Sequence, residues 1–341
     1  MAKDVPIMRK RKKIAVVGAG IGGLVSALKL AHEGFEVKVF ERSEYPGGKI
    51  RTLEANSGPI NIGPTVLTML PIFQNLFREV GEDIFDHLEL KEQNILARHW
   101  WSDGTEFDLF TNKNNTFDEI RNVFGLNAAN QYMEFFHTTE KMFTCFEKPV
   151  MKTVSPAPIE ILKEICKTPT VIPALFPFRT LDKYLKSKFS EPKLQQLFGR
   201  YATYVGGSPL NSPALMALVW QAEAKGVWTV KGGISSVAKA IERLAEDRGV
   251  EFIYGHRVIE IQQSKHLVNK VCLDDGTNYE ADAIIFNGDP RALALGLLGE
   301  GLRKVTKKTR NTPRSLSANV WGFESKHVNK NLVHHNVFFS C

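Results

Sequence analysis

Residues 13–23 read KIAVVGAGIGG and residues 37–48 read VKVFERSEYPGG. Lys13–Val17 is a short, β-branched run of the kind that forms a buried parallel strand, and at Gly18 the chain turns into a helix expected over Gly22–Glu33. Gly18 permits the tight turn, Gly20 lets a pyrophosphate reach the backbone, and Gly23 lets the helix lie close to the strand. Free N–H groups and the positive end of the helix dipole then face the phosphates. Ala27, Leu28 and Ala31 continue an apolar helix face, and Gly34 ends the helix.

A second strand, Glu36–Phe40, delivers Glu41, where a carboxylate accepts the hydroxyls of an adenosine ribose. An acid at this position argues against a 2′-phosphate, because like charges repel. Alone, a glycine triplet is weak, and its bland reading is a glycine-tolerant loop in an ordinary α/β domain. Its position between a strand and a helix, with Glu41 following, makes a dinucleotide site the stronger reading. Tyr45-Pro46-Gly47-Gly48-Lys49-Ile50-Arg51 comes where a plain nicotinamide domain proceeds to another crossover. Gly47 and Gly48 with the cations Lys49 and Arg51 suit a second backbone approach to cofactor phosphates. The competing reading is a surface turn.

These stretches resemble the FAD-dependent amine oxidase and phytoene desaturase superfamily. Gly63-Pro64-Thr65 follows the region where that superfamily returns to the flavin. RYATYVGGSP (200–209), WQAE (220–223), GVW (226–228) and Gly232-Gly233 resemble the bacterial carotenoid desaturases, closest to the hydroxyneurosporene, or 1-hydroxycarotenoid 3,4-, desaturase branch. The resemblance covers the chain from about Lys12 onward.

The resemblance implies an α/β fold of the amine oxidase and glutathione reductase-like kind, in which a Rossmann-like FAD-binding domain is interleaved with an α+β substrate domain. The expected division is a basic tail over 1–12, FAD-binding parts over 13–90 and 226–300, and substrate-domain parts over 91–225 and 301–341. It implies FAD held by Gly18, Gly20, Gly23, Glu41, Gly47, Gly48, Lys49, Arg51, Gly63, Pro64 and the main chain of Val258. The implied reaction removes two hydrogens from a carbon–carbon bond beside a polyene, at C3–C4 of a hydroxylated acyclic carotenoid. Phytoene desaturation, amine oxidation and an inactive flavoprotein are the alternatives. Family members continue into a Gly-Asp and glycine-rich segment that these residues lack, so the chain is expected to be a fragment, with a separate C-terminal polypeptide as one partner.

No catalytic triad is expected and none is found, so no catalytic residue is assigned. Arg51, Arg200, Trp228 and His334 are the side chains to examine near the ring or substrate. Tyr204, Ser208 and Gln221 are candidate partners for a substrate hydroxyl. The nine histidines show no metal-ligand spacing, and most are expected to face solvent. Cys145, Cys166, Cys272 and Cys341 form no CxxC pair, which fits a reducing compartment.

With 341 residues, 43% of them hydrophobic, the chain has material for a large core. The net charge of +7 includes Arg9-Lys10-Arg11-Lys12-Lys13. No aromatic and basic platform accompanies that run, so nucleic acid is not expected as a partner. Anionic lipid or a solvated tail fits it better. No apolar stretch is long enough to span a bilayer. Val171–Phe178, apolar and interrupted by prolines, reads either as a buried connector or as a peripheral membrane contact. The expected location is the cytoplasm, either free or peripheral on the membrane's cytoplasmic face, and the resemblance implies a lipid-soluble substrate.

Elsewhere the pattern predicts a hairpin of Ala97–Trp101 with Glu106–Phe110. It predicts helices over Thr116–Phe124, Ala128–Phe146, Thr180–Phe189, Pro192–Val205, Ile234–Asp247 and Pro290–Leu297. Strands are expected over Val250–Tyr254, Arg257–Ile261, Val268–Leu273 (with a break at Asn269), Ala283–Phe286, Ser315–Phe323 and Asn331–Ser340. Tyr132, Phe135, Phe136, Phe143 and Phe146 either line a polyene tunnel or pack a core. Asp289 reads as the cap of the helix begun by Pro290.

Overall fold

Along Lys13–Val17 the side chains divide by parity: Ile14 and Val16 enter one core, Ala15 and Val17 another. A strand with both faces apolar requires cover on both sides, and the structure supplies it. The computed structural model describes residues 11–153, 155–172, 179–264, 267–326 and 331–340. Lys13–Val17 lies inside a four-stranded parallel sheet in the spatial order Glu251–Ile253, Glu36–Phe40, Lys13–Val17, Ala283–Phe286.

On one face lies the helix Ile21–His32, which buries Gly23, Leu24, Ala27, Leu28 and Ala31. It packs against the helix Ser235–Glu246, whose Val237, Ala238, Ile241, Leu244 and Ala245 belong to the same core. Alanines at the contact let the two backbones approach. The other face is covered by an antiparallel sheet of Val258–Ser264, Leu267–Leu273 and Asn278–Glu280, which contributes Val258, Ile261, Val271 and Leu273 to the core around Ala15 and Phe40.

A separate core is built by residues between Leu96 and Val227. Its centre is the 21-residue helix Leu126–Phe146. Tyr132, Phe135, Phe136, Phe143 and Phe146 are all buried there, so the packed-core reading holds for these rings. Phe135 lies 4.7 Å from Phe198 and 5.0 Å from Phe189, centroid to centroid. Trp220 closes the cluster and donates its indole N–H to Thr139 Oγ1 at 2.8 Å. Two smaller sheets flank this core. Leu67–Thr68, Val227–Val230 and Leu90–Glu92 pair antiparallel, and the hairpin of Ile95–Trp101 with Glu106–Phe110 receives Asn336–Phe339 as a parallel edge strand.

Several expectations are corrected. Ser315–Phe323 is not a strand but an extended, exposed run, with Trp321 and Phe323 85% and 80% accessible. Strand residues need a ladder partner, and among the described residues none pairs with it. Its ends are tied by the Leu316 amide donating to Gly206 O (2.8 Å) and by Glu324 accepting from the Ser57 amide. Asn331–Ser340 is strand only over Asn336–Phe339. The helix expected over Pro192–Val205 is α-helical to Gly199 and then tightens to a 3₁₀ turn over Arg200–Val205, ended by Gly206 at φ 65°. Asn269 does not break its strand, which runs through Leu267–Leu273. His99 does not face solvent; it is fully buried. Asp289 does cap its helix, accepting from the Arg291 amide, though that helix is only Pro290–Ala294. Residues 1–10 of the basic tail, and 173–178 of the proline-interrupted segment, lie outside the described residues; Val171 is buried and Ile172 exposed.

Replacing Phe135 with alanine removes the ring at the centre of the aromatic cluster. The expected loss is about 3–5 kcal/mol, read as a lower urea midpoint at unchanged m-value.

Candidate functional site

The glycines after the first strand are demanded by contacts. A Cβ on Gly23 would stand 2.0 Å from the carbonyl oxygen of Gly18, so the helix can approach the strand this closely only with glycine there. Gly18 itself has φ 100°, and its amide donates to Phe40 O at 2.8 Å. No side chain caps the helix at Gly20, and its first turn holds no acid. The second glycine pair lies directly on the first. The Gly47 amide donates to Ala19 O at 2.8 Å, Gly20 and Gly47 form a parallel bridge, and a Cβ on Gly48 would sit 3.0 Å from Gly20 Cα.

Glu41 joins the two loops. Its Oε2 accepts from the Ala19 amide at 2.8 Å and its Oε1 from the Ser43 amide at 2.9 Å, with the residue 8% accessible. Each carboxylate oxygen keeps a further lone pair, so the group remains an acceptor. Lys49 and Arg51 are exposed beside this loop. Gly63 packs on it, since a Cβ there would be 2.1 Å from Lys49 O; Pro64 follows, exposed. Val258 turns its side chain into the sheet-covering core. It follows a turn whose Gly255 and His256 amides donate to the main-chain oxygens of Ser43 and Glu41.

Asn287 is the residue that sequence reasoning undervalued. Its amide lies across the glycine loop: Nδ2 donates to Gly18 O at 3.3 Å, and Cβ atoms on Gly20 and Gly22 would meet it at 2.9 and 2.7 Å. The available signal was positional, because Asn287 ends the strand that neighbours Lys13–Val17, and ligands bind at the carboxyl edge of such strands. A glycine cradle that any Cβ would fill, with a carboxylate at one end and an amide across it, fits the adenosine diphosphate part of a flavin dinucleotide.

A second polar centre lies in the aromatic core. Arg200 Nη2 donates to Glu223 Oε2 at 3.1 Å and to the Tyr201 hydroxyl at 2.9 Å; that hydroxyl donates to Glu223 Oε2 at 2.6 Å, and Tyr204 donates to Oε1. The pair therefore links the stretch that begins RYATY to the one that reads WQAE. Burial alone would lower the Arg200 pKa, but Tyr201 and Glu223 outweigh it and hold the guanidinium charged. Of the residues flagged at the ring or substrate end, Trp228 pairs with Leu67 and lays its ring against Gly226. His334 Nε2 is 3.3 Å from Thr65 O, two residues before Leu67 in the chain. Arg51 stays with the glycine loops. Gln221 is 1% accessible and donates its amide to Thr139 Oγ1 and Phe136 O. Among the described residues no cluster of three His, Cys, Asp or Glu could hold a metal ion, and no helix is long and apolar enough to cross a membrane.

The family model described as flavin containing amine oxidoreductase matches residues 21–327. The chain is 43% identical over 328 residues to hydroxyneurosporene desaturase of Cereibacter sphaeroides, covering 96% of this chain and 66% of the relative. It is 40% identical over 334 residues to the protein of that name in Rhodobacter capsulatus, covering 98% and 68%. To 1-hydroxycarotenoid 3,4-desaturase of a Flavobacterium it is 32% identical over 339 residues, covering 96% and 67%. The chain thus spans about two thirds of the length of these relatives. Among solved structures, an oxidoreductase from Methanosarcina mazei superposes with a TM-score of 0.61 at 18% identity, covering 86% of this chain and 65% of that one. Wild-type putrescine oxidase bound to putrescine superposes with a TM-score of 0.54 at 17% identity, covering 84% and 60%. These likenesses show the fold: an FAD-binding α/β architecture.

His99 carries a measurable consequence. Neither ring nitrogen has a hydrogen-bond partner, and the ring stacks beside Phe339 and Trp101, 6.0 and 6.2 Å away, which also stack on each other at 5.2 Å. Burial, reinforced by the nearby Arg200 charge, holds its pKa well below the ordinary histidine value, and His335 is lowered for the same reasons. The unfolded chain therefore binds the proton first, so stability is present above pH about 6.5 and is lost as pH falls below it. The melting temperature should drop between pH 7.5 and 5.5, and His99→Phe should flatten that dependence.

Proposed function

Because this chain belongs to the flavin containing amine oxidoreductase family, we propose that it binds FAD in the double-glycine cradle and dehydrogenates a carbon–carbon bond of a carotenoid. The observation that carries this reading is the contact of the two glycine loops beneath Glu41. Glu41 keeps its two backbone bonds and accepts the ribose hydroxyls with its remaining lone pairs. The loop around Gly18, Gly20 and Gly23 presents main-chain amides to the pyrophosphate, and Asn287 adds an amide donor. Gly47 and Gly48 bring the second loop to the same phosphates, with Lys49 and Arg51 as nearby cations, Gly63 packed on Lys49 and Pro64 following it at the surface. Main chain at Val258 faces the adenine side.

Bound FAD supplies the two-electron acceptor for the hydrogens removed from the substrate. The protein's own part is to hold an apolar chain in place and exclude water, which requires no protein acid or base at the reacting carbons. The two cores on either side of the parallel sheet draw on residues 14–90 and 230–302 and the second core, built around Leu126–Phe146, on 96–227, which supports FAD-binding parts over 13–90 and 226–300 and a substrate part over 91–225; pairing of Asn336–Phe339 with the hairpin supports a further substrate part within 301–341. A hydroxylated acyclic carotenoid is the substrate that the names of the relatives support. The exposed run at Ser315–Phe323 supports contact with a further polypeptide segment.

Reconstituted protein should show a flavin absorption spectrum and convert a hydroxylated acyclic carotenoid into a product of longer conjugation. Glu41→Ala should weaken FAD retention on the order of 10- to 100-fold, as expected for lost charge-assisted hydrogen bonds. Unchanged retention in that variant would sink the cradle assignment.

Peripheral membrane contact belongs to the same reading. The helix Pro158–Lys167 has two apolar stripes: Ile161 and Ile165 pack on the second core, while Ile159 and Leu162 point outward, 65% and 58% accessible. Lys163 and Lys167 flank the outward stripe, each paired with a carboxylate of the same helix, Glu160 at 2.8 Å and Glu164 at 2.7 Å. Such a helix lies in the headgroup boundary with its apolar side down. The chain should float with vesicles containing anionic lipid, and Ile159→Asp with Leu162→Asp should leave it in the dense fraction.

A further inference from the structure

We propose that the cleft between residues 87–89 and the helix Ser235–Glu246 binds a phosphomonoester dianion, at a site that shares no residue with the dinucleotide cradle.

The cleft measures about 230 Å³, several times the roughly 30 Å³ that one water molecule occupies. Its floor is apolar, formed by Leu88 and Ala240, both buried in the core beside the parallel sheet. One wall carries His87 and Glu89, and the other carries Lys239 and Arg243 of the helix, with Lys231 from the turn before it. Helix residues four apart share a face, their Cβ atoms about 5–6 Å from each other. Lys239 and Arg243 therefore stand side by side at one opening.

Neighbouring carboxylates are already committed. Glu89 accepts from Lys231 Nζ at 2.6 Å, and Glu82 accepts from Arg248 at 2.9 Å and lies 3.1 Å from His87 Nε2. Glu242, which is not part of the lining, accepts from the Tyr254 hydroxyl. Lys239 and Arg243 are both exposed, and among the described residues neither makes a hydrogen bond or an ion pair, with Glu246 or any other group. Like charges at this spacing destabilise a helix. Arg243, in the last turn, is favoured by the helix dipole, but Lys239, in the middle, has no such compensation.

With Lys231 answered by Glu89, two positive charges are left at the cleft. A phosphomonoester carries nearly two negative charges at neutral pH. The planar fork of an arginine holds two of its oxygens, and a lysine beside it adds a point charge. The start of the helix is not the attracting feature, because the Ser236 and Val237 amides donate to the Gly233 and Ile234 carbonyls at 3.1 Å and the Ser236 hydroxyl donates to Lys231 O at 3.2 Å. Two sources supply such a dianion: a soluble phosphate monoester, or the headgroup of phosphatidate in a membrane.

The test titrates inorganic phosphate and glycerol 3-phosphate calorimetrically, near neutral pH and at constant ionic strength, into protein saturated with FAD so that the cradle is occupied. Lys239→Gln with Arg243→Gln should weaken binding about tenfold, the scale of a lost charge-assisted contact. Lys141→Gln with Lys183→Gln removes the same charge from exposed positions elsewhere and should leave the affinity unchanged. In parallel, flotation compares vesicles containing phosphatidate with vesicles brought to the same surface charge by phosphatidylglycerol. A preference for phosphatidate that the cleft variant loses and the control variant keeps assigns the lipid source, and solution binding without that preference assigns the soluble one. The proposal is overturned if neither soluble probe binds and the two kinds of vesicle float the protein alike, if the cleft variant behaves as the wild type, or if the control variant loses as much. Each of these failures leaves the carotenoid reading untouched, since no step of it passes through this cleft.

Discussion

The distance between Gly23 and the carbonyl of Gly18 governs the cofactor half of this molecule. No side chain fits in that gap, since even a methyl group would stand 2.0 Å from the oxygen. Closing it brings the start of the first helix over the end of the first strand, and from there the other contacts follow in order. Ala19 is placed to donate to Glu41, Gly20 to meet Gly47, and Asn287 to lie across the opening. A helix displaced by one methyl group would break each of these together, because they share the same few backbone atoms.

The sheet behind this loop is equally constrained. Its central strand is buried on both faces, so helices must cover one side and the antiparallel sheet the other. The second core has a different logic. It is held by aromatic contacts along a single long helix, and its polar side chains are tied to one another through Thr139, Trp220 and Gln221, or through Arg200 and Glu223, whereas His99 and the Tyr184 hydroxyl are buried without a partner. Polar chemistry in the first half is thus mostly backbone, and in the second half mostly side chain.

Legibility in the sequence followed the range of the interactions. The strand, loop and helix around Gly18, the carboxylate at Glu41 and the Asp289 cap are local patterns and could be read directly. Asn287 shows no such local pattern, because its place across the loop depends on its strand lying beside Lys13–Val17. The Arg200–Glu223 pair joins residues 23 apart through an irregular turn and carried no periodic signal. His99 is buried against Phe339, far away in the chain, and nothing local to it marks it out from the histidines expected at the surface. Ser315–Phe323 has a strand's composition, and composition does not reveal whether a neighbour exists to pair with it.

The order of strands in the parallel sheet sets a schedule for biosynthesis. Lys13–Val17 emerges from the ribosome near the beginning, yet one of its two neighbours is Ala283–Phe286. At translation speeds of about 5–20 residues per second, the nascent first strand waits roughly 15 to 50 seconds for that neighbour. During that interval its open edge is a template for wrong pairing, and overproduction, which crowds many such nascent chains together, will favour aggregates over native protein.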